Sequence, residues 1–223
     1  MLKILYVVQS CDNYIDTRCL SSEQTWLKQI NQESDYIILT ANSNKDKTFS
    51  TRTRDDYWSL PDKWTKFLSN YNFDNYDWVF CIDDDNFVFP DRLEKYIIDQ
   101  NFDHNKNQVI GSRHCEFRQL NDVIFCGGGG ILMSISSIKK LKDYIPTDEF
   151  SINHLCHDCF MFDLFKRLNL EIINSNVNGD CGGPFYAGKL DNPCLGEENL
   201  NTAVSLHYCN SENKENLYKK YYL

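Results

Sequence analysis

The chain has no apolar run long enough to cross a bilayer. Its opening, Met1-Leu-Lys-Ile-Leu-Tyr-Val-Val, is too short for a signal peptide or anchor, and no small-residue cleavage site follows. It reads as a first buried strand of a soluble, intracellular protein. Basic residues are also scarce: 23 lysines and arginines against 32 aspartates and glutamates give a net charge of −9. Phosphate backbones need clustered cations, so nucleic acid is excluded as the main partner. An anionic substrate stays open where a divalent cation neutralises it. No second C-x-x-C accompanies Cys156–Cys159, so a zinc finger and a thioredoxin-like oxidoreductase both lack support. Gly127 to Gly130 fail G-x-G-x-x-G because Leu132 takes the last glycine position, and no GK[ST] follows. No internal repeat is visible.

What is present suits one α/β domain over residues 1–223, with 42% hydrophobic residues for its core. Lys3 to Gln9 reads as a strand. In SSEQTWLKQI, Ser21 and Gln24 form a capping box opening a helix whose stripe is Trp26, Leu27 and Ile30. Tyr36 to Thr40 is a second strand, buried on both faces. Strand, helix and strand in this order form a βαβ unit and call for a parallel sheet. Asn42–Asp56 is a polar surface loop. Pro61 and Pro90 open helices around a third strand, Asp77 to Ile82. Gln108 to Gly111, Val123 to Phe125 and Ile131 to Met133 are short apolar runs. Ser134 or Ser136 caps the helix that follows. Glu171 to Asn174 and Ala203 to Tyr208 are late strands separated by the long loop Asn176–Thr202. Cys81 and Cys126 read as small buried hydrophobes. Cys181, Cys194 and Cys209 are free to pair in an oxidising compartment.

The chemistry gathers where the apolar run Trp78 to Ile82 ends in Asp83, Asp84 and Asp85. Adjacent strand residues alternate faces, so the three carboxylates cannot share one face, and close together they repel unless a cation or water screens them. A metal site at the carboxyl end of a sheet and a solvated acidic turn both fit. EF-hand spacing fails, with Phe87 where Asp or Asn is needed. Four consecutive glycines cost backbone entropy and point to close approach of backbone to a ligand or to φ > 0. Asp158 stands at the start of the helical stripe Phe160, Met161, Leu164, Phe165 and Leu168, either as a cap or as a general base aimed into a cleft.

Five segments in order resemble the Fringe-like branch of the β-1,3-glycosyltransferases: YVVQSCDNYIDTRCLSSEQTWL, WVFCIDDDNFV, FCGGGGILMS, HDCFMFDLFKRLNLEII and VSLHY. The chain departs from the family pattern at Ser10 and Cys11, which replace two threonines, at Ile15, which replaces a histidine, and at His157, which replaces the first of two aspartates. The resemblance implies a single-domain GT-A fold, Rossmann-like, with a mostly parallel central sheet flanked by helices. It implies transfer of a sugar from a UDP-sugar (UDP-GlcNAc, UDP-Gal or UDP-Glc) to a hydroxyl of a glycoprotein glycan, with Mn²⁺ or Mg²⁺ and inversion at the anomeric carbon. On this resemblance Asp85 and His207 are the metal ligands. Asp83 shapes the turn and completes the candidate metal set. Arg18, Asp84, Ser10, Gly128 and Gly129 bind the donor, and Asp158 is the catalytic base. Arg18 precedes the Thr25-Trp26 pair of the family's first segment. Rival readings are a non-catalytic metal- or sugar-binding module and a nucleotidyl- or phosphotransferase using the same carboxylates. Richness in Asn, Lys, Ile and Tyr fits an AT-rich genome. A large DNA virus is one such source, and glycans on a collagen-like protein would then be a candidate acceptor.

Overall fold

A computed structural model describes residues 1–117, 122–147, 151–152, 156–176, 183–193 and 195–223. In chain order, β1 (Ile4–Gln9) leads through two short helical turns into α1 (Leu20–Gln24), then β2 (Asp35–Thr40) and β3 (Thr48–Ser50). Next come α2 (Leu60–Asn70), β4 (Trp78–Asp83), β5 (Phe87–Val88) and α3 (Pro90–Asp99). They are followed by β6 (Gln108–Gly111), β7 (Arg113–Phe117), β8 (Asp122–Phe125), β9 (Ile131–Ser134) and α4 (Ile135–Tyr144). Then α5 (His157–Arg167), β10 (Glu171–Asn174), β11 (Phe185–Tyr186), α6 (Glu197–Thr202), β12 (Ser205–Leu206) and α7 (Ser211–Tyr222) complete the order.

The central sheet runs β10-β6-β9-β4-β1-β2-β3. Every neighbouring pair is parallel except those of β9, which runs antiparallel to β4 and β6. Alternation along the inner strands supplies two cores. Leu5, Val7, Val79 and Cys81 face one side, under Trp64, Phe67, Ile138, Leu141, Phe160 and Phe165 of α2, α4 and α5. Ile4, Tyr6, Val8, Trp78, Phe80 and Ile82 face the other, under Trp26, Leu93 and Ile97. Small sheets β11-β12-β5 and β7-β8 flank this body.

This topology fixes where a site can form. The chain leaves β1 on one side for β2, and β4 returns on the other, so the carboxyl ends of β1 and β4 border a switch point. Because β9 is antiparallel, its amino end, with the glycines before it, comes to the same edge.

Several local expectations change. Ser21 is not a cap: Ile15–Cys19 is already a π-helical turn, so α1 starts one residue earlier and Ser21 lies inside it. Thr25 (φ −119°, ψ −106°) then breaks the helix, and Trp26–Gln29 continues as a 3-10 turn with Trp26 and Leu27 buried. The first half of β2 is only half-buried, because β3, drawn from the 42–56 loop, covers the strand's later half alone. The 176–202 loop supplies β11 and α6. The last strand shrinks to Ser205–Leu206. Ser134 does cap α4, accepting from Ser137 N at 3.1 Å. Cys81 is buried and free, but Cys126 is bonded to Cys115, and Cys209 is a buried free thiol. Cys181 and Cys194 lie outside the described residues. Among the described residues no helix is long and apolar enough to cross a membrane.

Candidate active site

The turn after β4 sorts its three carboxylates by direction. Asp83 ends the strand, Asp85 lies two residues on, and both project to one side, where His207 waits beyond β12. His207 Nε2 stands 3.2 Å from Asp85 Oδ1 and 3.7 Å from Asp83 Oδ2. One ligand atom from each of the three fits within 4.8 Å of the others. Asp84 is paired with Arg18, which also stands 3.9 Å from Asp85 Oδ2. Asp84 accepts from Ser10 Oγ (2.7 Å) and Arg18 Nη1 (2.9 Å). Asn86 N donates to Asp83 O (3.2 Å), so a closed turn with Asp84 and Asp85 at its centre sets these directions.

The turn is pinned from four directions. Asn86 Oδ1 accepts from Asp83 N (3.1 Å), while Asn86 Nδ2 donates to Gly128 O (2.7 Å), tying the acidic turn to the glycine loop. Gln9 Nε2 donates to Asp83 Oδ1 (2.9 Å), and Gln9 Oε1 accepts from Trp64 Nε1. Cys209 N donates to Asp85 O (2.7 Å). From α7, fully buried Lys214 Nζ donates to Asp84 O (2.5 Å), Ser22 Oγ (2.7 Å) and Arg18 O (3.0 Å).

Gly127 and Gly128 are required by close approach. A Cβ on Gly127 would overlap Asp158 Oδ1, and a Cβ on Gly128 would overlap the His207 ring. Gly129 turns away from the cleft, where a Cβ would stand 2.9 Å from Phe185 O, and it is not among the lining residues. Cys156, not Asp158, caps α5, with Sγ accepting from Cys159 N at 3.3 Å. Asp158 is the helix's second residue and accepts from Gly127 N at 3.1 Å. His157 points into the core, stacked on Trp64.

All of these groups share one cleft of about 790 Å³. Ser10, Arg18, Asp83, Asp84, Asp85, Gly128, Asp158 and His207 line it. Of the residues assigned to donor, metal or base, Gly129 alone stands outside it. Thr25 and Trp26 are buried and serve the fold. Sequence reasoning missed Gln9, Lys63, Tyr57 and Lys214. Lys63 is buried in α2 and donates to Ser10 O (2.9 Å) and Asp55 Oδ1 (2.8 Å).

The electrostatics are those of crowded, desolvated carboxylates. Burial, opposed by His207 and reinforced by Asp158, Asp85 and Asp84, pushes Asp83 up to about 7. Burial raises Asp84, with Ser10 and Arg18 opposing. At Asp85 burial is outweighed by the hydrogen bond and charge of His207 and by Arg18, and its carboxyl lies below the ordinary value. Burial raises Asp158 despite the Gly127 amide. Burial works against protonated His207, but Asp85 and Asp83 raise it overall. Two carboxylates and one imidazole, with no thiolate, suit a hard-to-borderline divalent cation such as Mn²⁺ or Mg²⁺. His207 Nδ1 lies 3.2 Å from Ala187 O. With that nitrogen protonated, Nε2 keeps its lone pair for a metal.

A search among curated proteins finds no match. Among solved structures, the galactosyltransferase LgtC, solved with donor and acceptor sugar analogues, superposes with TM-score 0.50 at 13% identity, over 98% of this chain and 96% of that one. A glycosyltransferase involved in glycosylation of the major capsid of PBCV-1 gives 0.46 at 12%, over 96% and 99%. GlyE of Streptococcus pneumoniae TIGR4 gives 0.49 at 16%, over 93% and 55%. The likeness to LgtC is one of fold, the GT-A arrangement of a mostly parallel sheet flanked by helices. The model of the Fringe-like family matches residues 1–220, and with the acidic turn, glycine loop and late histidine standing in one cleft, the chain belongs to the Fringe-like family and is a glycosyltransferase of the nucleotide-sugar type.

Proposed function

We propose that the chain, as a single GT-A domain over residues 1–223, transfers a hexose or N-acetylhexosamine from a UDP-sugar to a hydroxyl of a glycan acceptor. The observation that carries this reading is the opposition, in one cleft, of the Asp83–Asp85–His207 group and Asp158, joined by Gly127 and Gly128. Asp85, His207 and Asp83 would hold Mn²⁺ or Mg²⁺, which when bound supplies positive charge to the diphosphate. Arg18 and Asp84 take the nucleotide side: a guanidinium fork suits phosphate oxygens, and the Ser10–Asp84 pair offers a fixed hydrogen-bonding edge.

Asp158 accepts the proton of the attacking hydroxyl. A new bond forms from that oxygen to the anomeric carbon as the bond to the diphosphate breaks, and UDP leaves from the opposite face. Burial holds the Asp158 carboxyl above its ordinary range, closer to the working pH of a general base. The N–H of Gly127 fixes its orientation.

The test is a screen of UDP-sugars for Mn²⁺-dependent release of UDP. One UDP-sugar should be cleaved, and EDTA or Asp85→Ala should abolish cleavage. Full activity in EDTA, or release of a sugar phosphate in place of UDP, would overturn the reading.

A further inference from the structure

Away from Arg18 and Asp84, the cleft wall changes character. Asp55, Asp56, Tyr57 and Leu60 form one side, and Asp158, Gly127 and the Cys115–Cys126 disulfide form the other. Tyr57 is 59% exposed and its neighbour Trp58 is 55% exposed; the cleft's other exposed aromatic residues lie elsewhere, Tyr208 against His207 (ring centroids 3.8 Å apart) and Tyr14 under Arg18 (4.1 Å). The two rings meet edge to face with centroids 5.3 Å apart. Their segment is braced. Ser59 Oγ donates to Arg54 O (2.6 Å) and accepts from Asp56 N (3.3 Å). Asp55 is held by Lys63 (2.8 Å) and by Asp12 N (2.8 Å). The turn's hydrogen bonds hold an exposed aromatic ring at the cleft lining, a flat face fixed in place before any ligand arrives.

The charge of the cleft narrows what lies on that ring. Six aspartates line it, against Arg18 and Lys63 as the lining lysine and arginine residues. Lys63 is committed to Asp55, and Arg18 lies on the nucleotide side, paired with Asp84. Tyr57 itself stands in the field of Asp158 and Asp83. An anionic ligand on this wall would meet carboxylates with no free cation among the described lining residues. A neutral sugar meets no such penalty. Its C–H face is apolar with slightly positive hydrogens and suits the negative face of the ring, and its hydroxyls can donate to Asp56.

We infer that Tyr57 is the platform of the acceptor subsite, and that the acceptor is a neutral saccharide laid on it rather than a uronic or sialic acid. This rests on the donor-site reading above. Trp58, edge-on to Tyr57 and not itself a lining residue, positions the ring.

The experiment uses the full chain, Mn²⁺, and the UDP-sugar that the hydrolysis screen selects. Probes are methyl glucosides, galactosides and xylosides, each hexoside paired with its uronate. A neutral glycoside should be glycosylated, and its uronate partner at least about tenfold less efficiently. Tyr57→Ala should raise the acceptor KM about tenfold, the worth of one good ring contact, with a much smaller change in donor KM. Tyr57→Phe should stay within about threefold of wild type, because the ring and not the hydroxyl makes the contact. A preferred uronate, transfer to none of the neutral glycosides, or an unchanged acceptor KM in Tyr57→Ala overturns the inference while leaving the donor reading intact. Failure of the wild type to cleave any UDP-sugar overturns the donor reading, and this inference with it.

Discussion

Lys214→Met is the most informative single change outside the cleft. The ammonium of Lys214 is fully buried and donates to Arg18 O, Ser22 Oγ and Asp84 O, so one residue of α7 joins the segment carrying Arg18 to the turn carrying Asp84. Two effects oppose each other on its removal. Stranding the two carbonyl acceptors costs about 1–3 kcal/mol each. Against that, burial pulls the ammonium from its ordinary 10.5 down to about 8, so holding it charged inside costs about 3 kcal/mol, which the variant is spared. The terms nearly cancel, and Lys214→Met should lie within about 2 kcal/mol of wild type in a urea melt at pH 7. Donor binding has no such compensation. With the backbone tie between the Arg18 and Asp84 segments lost and only their side-chain ion pair left, the donor KM should rise tenfold or more, about 1.4 kcal/mol, with less effect on the acceptor KM. The sign with pH follows from the depressed pKa. Between pH 8 and 10.5 the unfolded chain holds the proton and the folded chain does not, so wild-type stability should rise with pH relative to the variant. A donor KM within twofold of wild type would refute this role for α7.

Asp158→Asn keeps the shape of the site but removes its proton acceptor; single-turnover transfer should slow by about 10²–10⁴, with UDP affinity measured by calorimetry preserved. Gly128→Ala places a methyl where the His207 ring lies. His207 must leave Asp85, and Mn²⁺ affinity read by titration should fall about tenfold or more. His157 is buried and stacked on Trp64, and burial holds its pKa near 3. That value lies below the unfolded one, so its stability is present above about pH 6.5 and lost as pH falls. From pH 7 to pH 5 the wild type should lose about 2 kcal/mol more than His157→Gln in denaturant melts, and equal losses would contradict the buried, neutral ring.

The parts legible in the sequence were those governed by local rules. The acidic end of the third strand marked the site: in the structure Asp83 and Asp85 meet His207 and Asp84 meets Arg18, sorted by a turn at 84–85 and not by strand alternation. Four glycines demanded close approach, and two of them sit against Asp158 and His207. Legibility failed where a residue's meaning depends on what packs over it. In SENKENLYKK, Lys214 has the neighbours of a solvated lysine. Only the docking of α7 against α1 buries it, and nothing within a helical turn of it announces that. Cys126 shared with Cys81 the pattern of a thiol in an apolar run, but Cys115 faces it from the neighbouring strand, a relation set by the β7–β8 hairpin and invisible to composition. Tyr57 lies between the polar 42–56 loop and the helix that Pro61 opens, where a braced turn and a loose loop read alike. The misplaced cap at Ser21 has the same origin. Its local chemistry is that of a helix start, but the chain is already helical at Ile15, and the approach that brings Arg18 to Asp84 fixes the geometry there. The site thus divides by range. The carboxylates, the glycines and Asp158 are written in short motifs, whereas the groups that hold them still, Gln9, Asn86, Lys63 and Lys214, act across contacts of 42 to 196 residues except where Asn86 closes its own turn and Lys63 reaches Asp55.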